Sequence, residues 1–115
     1  MVTLYGISNC DTIRKAKKWL DSASIDYQFH DYRKQGLEKQ ALEQWAQQLG
    51  WEALLNRRGT TWRKLDEAQK QDIDQARAID LMLEHPAMIK RPLLKTDDQL
   101  HLGFSDAAYQ GLFNQ

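Results

Sequence analysis

Cysteine and proline are scarce here: one of the first, Cys10, and two of the second, Pro86 and Pro92, in 115 residues. With no second thiol there is no internal disulfide, so any disulfide of Cys10 joins another molecule and any reductive cycle borrows its resolving thiol. Net charge is absent as well, with 16 Lys and Arg against 16 Asp and Glu. The summed field therefore gives no reason to expect direct nucleic-acid contact or an anionic membrane surface. No segment approaches the roughly 18 apolar residues of a membrane span, and no apolar stretch behind a basic cap marks a leader. Together with an unpaired cysteine, this predicts a cytoplasmic protein. The three histidines, His30, His85 and His101, are scattered without metal-ligand spacing, so no metal is expected. The length suits one domain, 1–115, with no separate regulatory module.

What is present centres on Cys10. A lone cysteine is ordinarily a small buried hydrophobe, but this one stands between an apparent first strand and first helix. Asn9, Asp11 and Thr12 around it are helix-start residues, and Ile13, Ala16, Leu20 and Ala23 follow at helical spacing. A thiol at a helix N-terminus faces unpaired backbone N–H groups and the positive end of the helix dipole, which favour thiolate and draw its pKa toward neutrality. Arg14, four residues on, projects from the same face and can set a guanidinium near an anion held there; the plainer reading is a solvated arginine among Lys15, Lys17 and Lys18.

The surrounding pattern predicts strand 2–5, a loop over 6–9, helix 11–22, and a second strand from the alternation of Ile25, Tyr27 and Phe29. Strand, helix and strand within thirty residues have the length of a crossover joining parallel strands. A polar connector over 31–36 leads to a helix over 37–49 with Leu37, Ala41, Trp45 and Leu49 on one stripe and Gly50 as its stop. The cation- and hydroxyl-rich stretch 56–65 reads as a loop resembling an anion cradle. Residues 66–84 read as helix broken near Gln71, with Ile73, Ala76, Ile79 and Leu83 inward and His85-Pro86 as the end. A hairpin pairs 88–95 with 100–102, and Ser105 caps a last helix carrying Tyr109, Leu112 and Phe113.

That order, with a cysteine after the first strand and Arg91-Pro92 opening the third, is what an α/β, thioredoxin-like fold would show, with a mixed sheet and a helical insertion at approximately 37–88. The chain resembles the arsenate reductase ArsC and Spx family. The resemblance rests on Leu4-Tyr5 followed by Cys10 and Arg14-Lys15, on Leu54 to Arg58 before Trp62 and Leu65, on Lys90-Arg91-Pro92 and on Gly103-Phe104. Within the family, Cys10 to Ile13, Gly59 to Leu65 and Ile89 to Leu94 are most similar to the YffB branch. The resemblance implies that Cys10 is the redox nucleophile, Arg91 an arginine of the oxyanion site, and Pro92 a cis proline beside the cysteine. It also implies a further arginine from the middle loop, where Arg57 and Arg58 stand side by side and Arg58 aligns with the position Spx uses.

Three departures argue against arsenate as substrate: Asn56 and Gly103 or Phe104 replace arginines of arsenate reductases, and Gly6 replaces a histidine. Ile13 stands where Spx regulators carry a second cysteine, which excludes an internal disulfide switch. The expected function is a glutathione-dependent thiol reductase, with Cys10, Arg91 and Arg58 catalytic and Arg14, Asn9, Asp11, Thr12, Arg57 and Pro92 binding substrate. Glutathione is the expected co-substrate, with a glutaredoxin as possible partner, an unidentified oxidised substrate, and a monomeric chain. The alternatives are a non-catalytic, Spx-like interaction module and a weak arsenate reductase.

Overall fold

In the computed structural model, which describes residues 1–8 and 10–114, the first apolar run forms the central strand β1 (Val2–Gly6). It is followed by α1 (Asp11–Ser22), β2 (Tyr27–Asp31) and the single-turn helix α2 (Tyr32–Gln35). Next come α3 (Lys39–Leu49), α4 (Trp51–Leu54), α5 (Thr60–Arg63), α6 (Glu67–Lys70) and α7 (Gln75–Glu84). A 3₁₀ turn at Pro86–Met88 precedes β3 (Leu93–Lys95), β4 (Leu100–Leu102) and α8 (Asp106–Phe113). β1 pairs in parallel with β2, Leu4 opposite Phe29, and antiparallel with β3, Leu4 opposite Leu94. β4 closes the order β2-β1-β3-β4. This mixed four-stranded sheet, with helices between its strands and the helical stretch between β2 and β3, is the expected thioredoxin-like α/β arrangement.

The chain divides into two units. The first, Met1–Gln35 with Arg91–Gln115, holds the whole sheet. Its core gathers Leu4 and Leu94 from the sheet, Ala16 and Leu20 from α1, and Tyr109 from α8, with Trp19 and Phe113 packed against them. Ile13, Ala16 and Leu20 form the buried stripe of α1, as their spacing predicts. Ser105 accepts the Ala108 N–H at 3.1 Å and so caps α8. The second unit, Gly36–Lys90, carries α3 to α7, and an antiparallel bridge ties Leu55, just after α4, to Ile89 near its end.

Several boundaries differ from the sequence expectations. Ile25 belongs to the end of α1: Ser24 is left-handed (φ 58°), its N–H reaches the Asp21 carbonyl at 3.1 Å, and the Ile25 N–H reaches that of Leu20 at 3.0 Å. Those two bonds are a Schellman motif. Residues 31–36 are no polar connector, since Asp31 ends β2 and is buried and Tyr32 is buried in α2. In α3 the inward stripe is Leu42, Trp45 and Ala46, which keeps Trp45 of the expected stripe but has Leu42 and Ala46 in place of Ala41 and Leu49, and Leu37 precedes the helix. In α7 it is Ala78, Ile79, Leu81 and Met82, while Ala76 is exposed. The stretch 56–65 contains α5, and the third strand begins only at Leu93 because the 3₁₀ turn and Pro92 interrupt the ladder before it.

Candidate active site

Cys10 is the N-cap of α1, extended at φ −100° and ψ 131°, and only partly exposed. Its carbonyl accepts the Arg14 N–H at 3.0 Å, which opens the helix. Burial alone would push the thiol up, but the N–H groups of Ile13 and Thr12 and the Arg91 guanidinium outweigh it, holding the thiol below its ordinary value. These groups lower it chiefly as hydrogen-bond donors to the sulfur, the charge of Arg91 adding the smallest share. Arg91 arrives from the start of the third-strand segment, where the Arg91–Pro92 peptide bond is cis and Pro92 is buried. Thiol, N–H donors and guanidinium thus meet within one unit.

The other anticipated residues fall out differently. Arg14 is ion-paired with Asp11 on the exposed side of α1; the donors that lower Cys10 are Ile13, Thr12 and Arg91. Asn9 lies outside the described residues. Arg57 and Arg58 belong to the second unit. There the Arg57 guanidinium lies 5.8 Å from the ring centroids of both Trp51 and Trp62, a cation–π sandwich. Arg58 is exposed, and its N–H donates to Asn56 Oδ1 at 3.1 Å. Both line an open cleft of about 470 Å³ with Glu52, Leu55, Asn56 and Lys90. Among the described residues no group of His, Cys, Asp and Glu gathers in a metal-binding cluster.

Three features escaped the sequence reading. Gly6 is buried where β1 ends, and a Cβ there would overlap Ile13 Cδ1 and come within 3.8 Å of Arg91 Cβ. Tyr32 stacks on Tyr5 at 6.3 Å and Tyr5 meets His30 at 5.1 Å, forming an aromatic cluster at the β1–β2 end of the sheet. Burial pushes the Tyr32 hydroxyl up, Tyr5 adds to this, and Arg91 opposes it. Asp31 accepts four hydrogen bonds, two of them from Ser8, two residues before Cys10. A polar side chain at the end of a strand gave no sign of burial, although an aspartate before a helical turn is a capping signal.

A thioredoxin-like sheet that carries one lowered thiol at the first helix start, with a cis Arg-Pro bond beside it, defines a class of single-cysteine thiol proteins. The ArsC family model matches residues 5–112, and the chain belongs to the ArsC family. It is 45% identical over 113 residues to an uncharacterised protein of Haemophilus influenzae, covering 98% of this chain and 99% of that one. A solved structure described as the YffB protein is 50% identical with a TM-score of 0.93, over 96% of this chain and 97% of the other. The global transcriptional regulator Spx of Lactiplantibacillus plantarum is 27% identical, over 92% of this chain and 81% of its own.

Proposed function

We propose that the protein is a cytoplasmic, glutathione-dependent thiol reductase acting as a monomer. The observation that carries the reading is the partly exposed Cys10 thiol, lowered by two helix-start N–H groups and the Arg91 guanidinium. Such a thiol is attacking thiolate over more of the neutral range than an ordinary cysteine. Cys10 attacks the glutathionyl sulfur of a mixed disulfide; that S–S bond breaks as the new one forms, and the substrate leaves as a thiolate that takes a proton from water. A glutathione thiolate then attacks the same glutathionyl sulfur, releasing Cys10 thiolate and glutathione disulfide. One glutathione is consumed and the substrate is reduced. Glutathione suits the chain because it brings the resolving thiol that Cys10 has no internal partner to supply, together with two carboxylates for arginines. Arg91 would orient one of them, Pro92 and Thr12 shape the strand and helix edges of the thiol site, and Asp11 with Arg14 borders it. Arg57 and Arg58 are candidate carboxylate-binding groups of their own unit. A glutaredoxin could take the place of free glutathione in the second step.

The test couples glutathione disulfide formation to NADPH through glutathione reductase, with a glutathione mixed disulfide as substrate. Turnover that Cys10→Ser abolishes is expected; no turnover, or turnover indifferent to the substitution, refutes the proposal. The match to Spx regulators favours a second reading, a non-catalytic module that docks a protein partner. Under it Cys10→Ser leaves partner binding intact and the wild type turns nothing over. An arsenate arm of the same assay examines the third reading, for which little consumption is expected.

A further inference from the structure

The Asp31 side chain divides its two oxygens between different tasks. Oδ1 accepts the N–H of Arg33 at 2.8 Å and of Lys34 at 3.2 Å, the ordinary work of a residue capping α2, and the Gln35 side chain returns to the Asp31 N–H at 3.0 Å. Oδ2 is not needed for the cap. It turns instead to Ser8, accepting both the backbone N–H at 3.1 Å and the hydroxyl in a short hydrogen bond. Asp31 is buried, only 4% exposed, and a buried carboxylate is retained as an anion only where donors satisfy it. Burial would push its pKa up, but Ser8, Arg33 and Lys34 outweigh this and hold it at about 2, so it is ionised throughout the neutral range.

Ser8 lies in the short connection that brings the chain from the sheet to Cys10, and β1 and β2 are paired through Gly6 and Asp31. The carboxylate therefore clamps the loop at Ser8, between the strand end and the nucleophile. We infer that Asp31, through Ser8, is a positioning residue that holds the Cys10 loop in register with the N–H groups of α1 and with Arg91. The inference rests on the reading of Cys10 as an activated nucleophile. It assigns no contact between Asp31 and the sulfur.

Asp31→Asn separates the two tasks, because an asparagine caps a helix as well as an aspartate while its amide nitrogen would face the Ser8 donors. Three measurements accompany it: the thermal melt, the hydrogen-exchange rate of the Ser8 amide, and the pH profile of Cys10 alkylation by iodoacetamide. The expected result is a cooperatively folded variant whose Ser8 amide exchanges faster, whose alkylation midpoint rises by about one pH unit, and whose rate at neutral pH falls about tenfold. Should Asp31→Asn fail to fold, Ser8→Ala and Ser8→Thr decide: the alanine should slow alkylation about threefold and the threonine, which keeps the hydroxyl, should restore it. A folded Asp31→Asn or Ser8→Ala protein with the wild-type alkylation profile overturns the inference, even if the Ser8 amide has loosened. An elevated midpoint in the wild type itself would instead defeat the reading of Cys10, leaving the exchange result as a statement about the loop alone.

Discussion

Cys10 stands under opposing influences, burial raising its pKa and N–H donors with Arg91 lowering it, so removing a donor should show directly. Arg91→Ala should raise the alkylation midpoint and slow the neutral-pH rate several-fold, whereas Arg14→Ala, already paired with Asp11 in solvent, should leave both unchanged. Asp31 contributes to stability in the opposite pH range. Its folded-state pKa of about 2 lies below the unfolded value, so its stabilisation is complete above about pH 4 and is lost as pH falls toward 2. Urea unfolding between pH 5 and 2 should show a loss of about 2 kcal/mol in the wild type, which the same titration of Asp31→Asn does not repeat. Gly6→Ala should destabilise by about 1–3 kcal/mol, because its methyl would overlap the buried Ile13 side chain. Cys10 could be singled out in the sequence by its place before a helix, and Arg91 and Pro92 by the resemblance to the ArsC family. Asp31 and Gly6 could not, since their roles come from which atoms the fold brings against them.

The first helix and the last one were readable because their signals are local: an apolar stripe in α1 and a serine before α8. The end of α1 is a different matter. The Schellman turn there uses Ser24 in the left-handed region, which costs an L residue about 1 kcal/mol or more. Ser24→Gly should therefore raise stability by about 0.5–1 kcal/mol, and Ser105→Ala should lower it by about 1 kcal/mol, both measurable by urea midpoints. Tyr109→Phe should be neutral or stabilising, because the buried Tyr109 hydroxyl has no hydrogen-bond partner among the described residues. In the second unit α3 and α7 were anticipated as helices, with Trp45 and Ile79 correctly inward and the rest of each stripe misplaced, while α4 and α5 were not anticipated. In α3 and α7 apolar residues occur on more than one stripe, and periodicity alone does not choose among them; the choice belongs to the packing of α3 against α7 and α4. The third strand was overextended because Met88 and Ile89 were read as its start, whereas the 3₁₀ turn at Pro86–Met88 and the buried Pro92 hold the ladder back to Leu93.

For the molecule as a whole, balanced charge and a solitary thiol point in the same direction: an anion site must be local, and any redox cycle of Cys10 would have to be completed by a second molecule. The β-α-β order, the two closing strands and the final helix were all legible, because each rests on a short-range pattern that family resemblance reinforced. Incubation with glutathione disulfide should produce one adduct, on Cys10, visible in the intact mass and removed by excess glutathione; a protein left unmodified at neutral pH counts against glutathione as the co-substrate. Underneath that lies the state of the sulfur itself. The rate of Cys10 alkylation by iodoacetamide, followed from pH 4 to 10, measures it most directly. An inflection below the ordinary thiol value of about 8.5 is predicted, and an inflection at or above it would contradict the account.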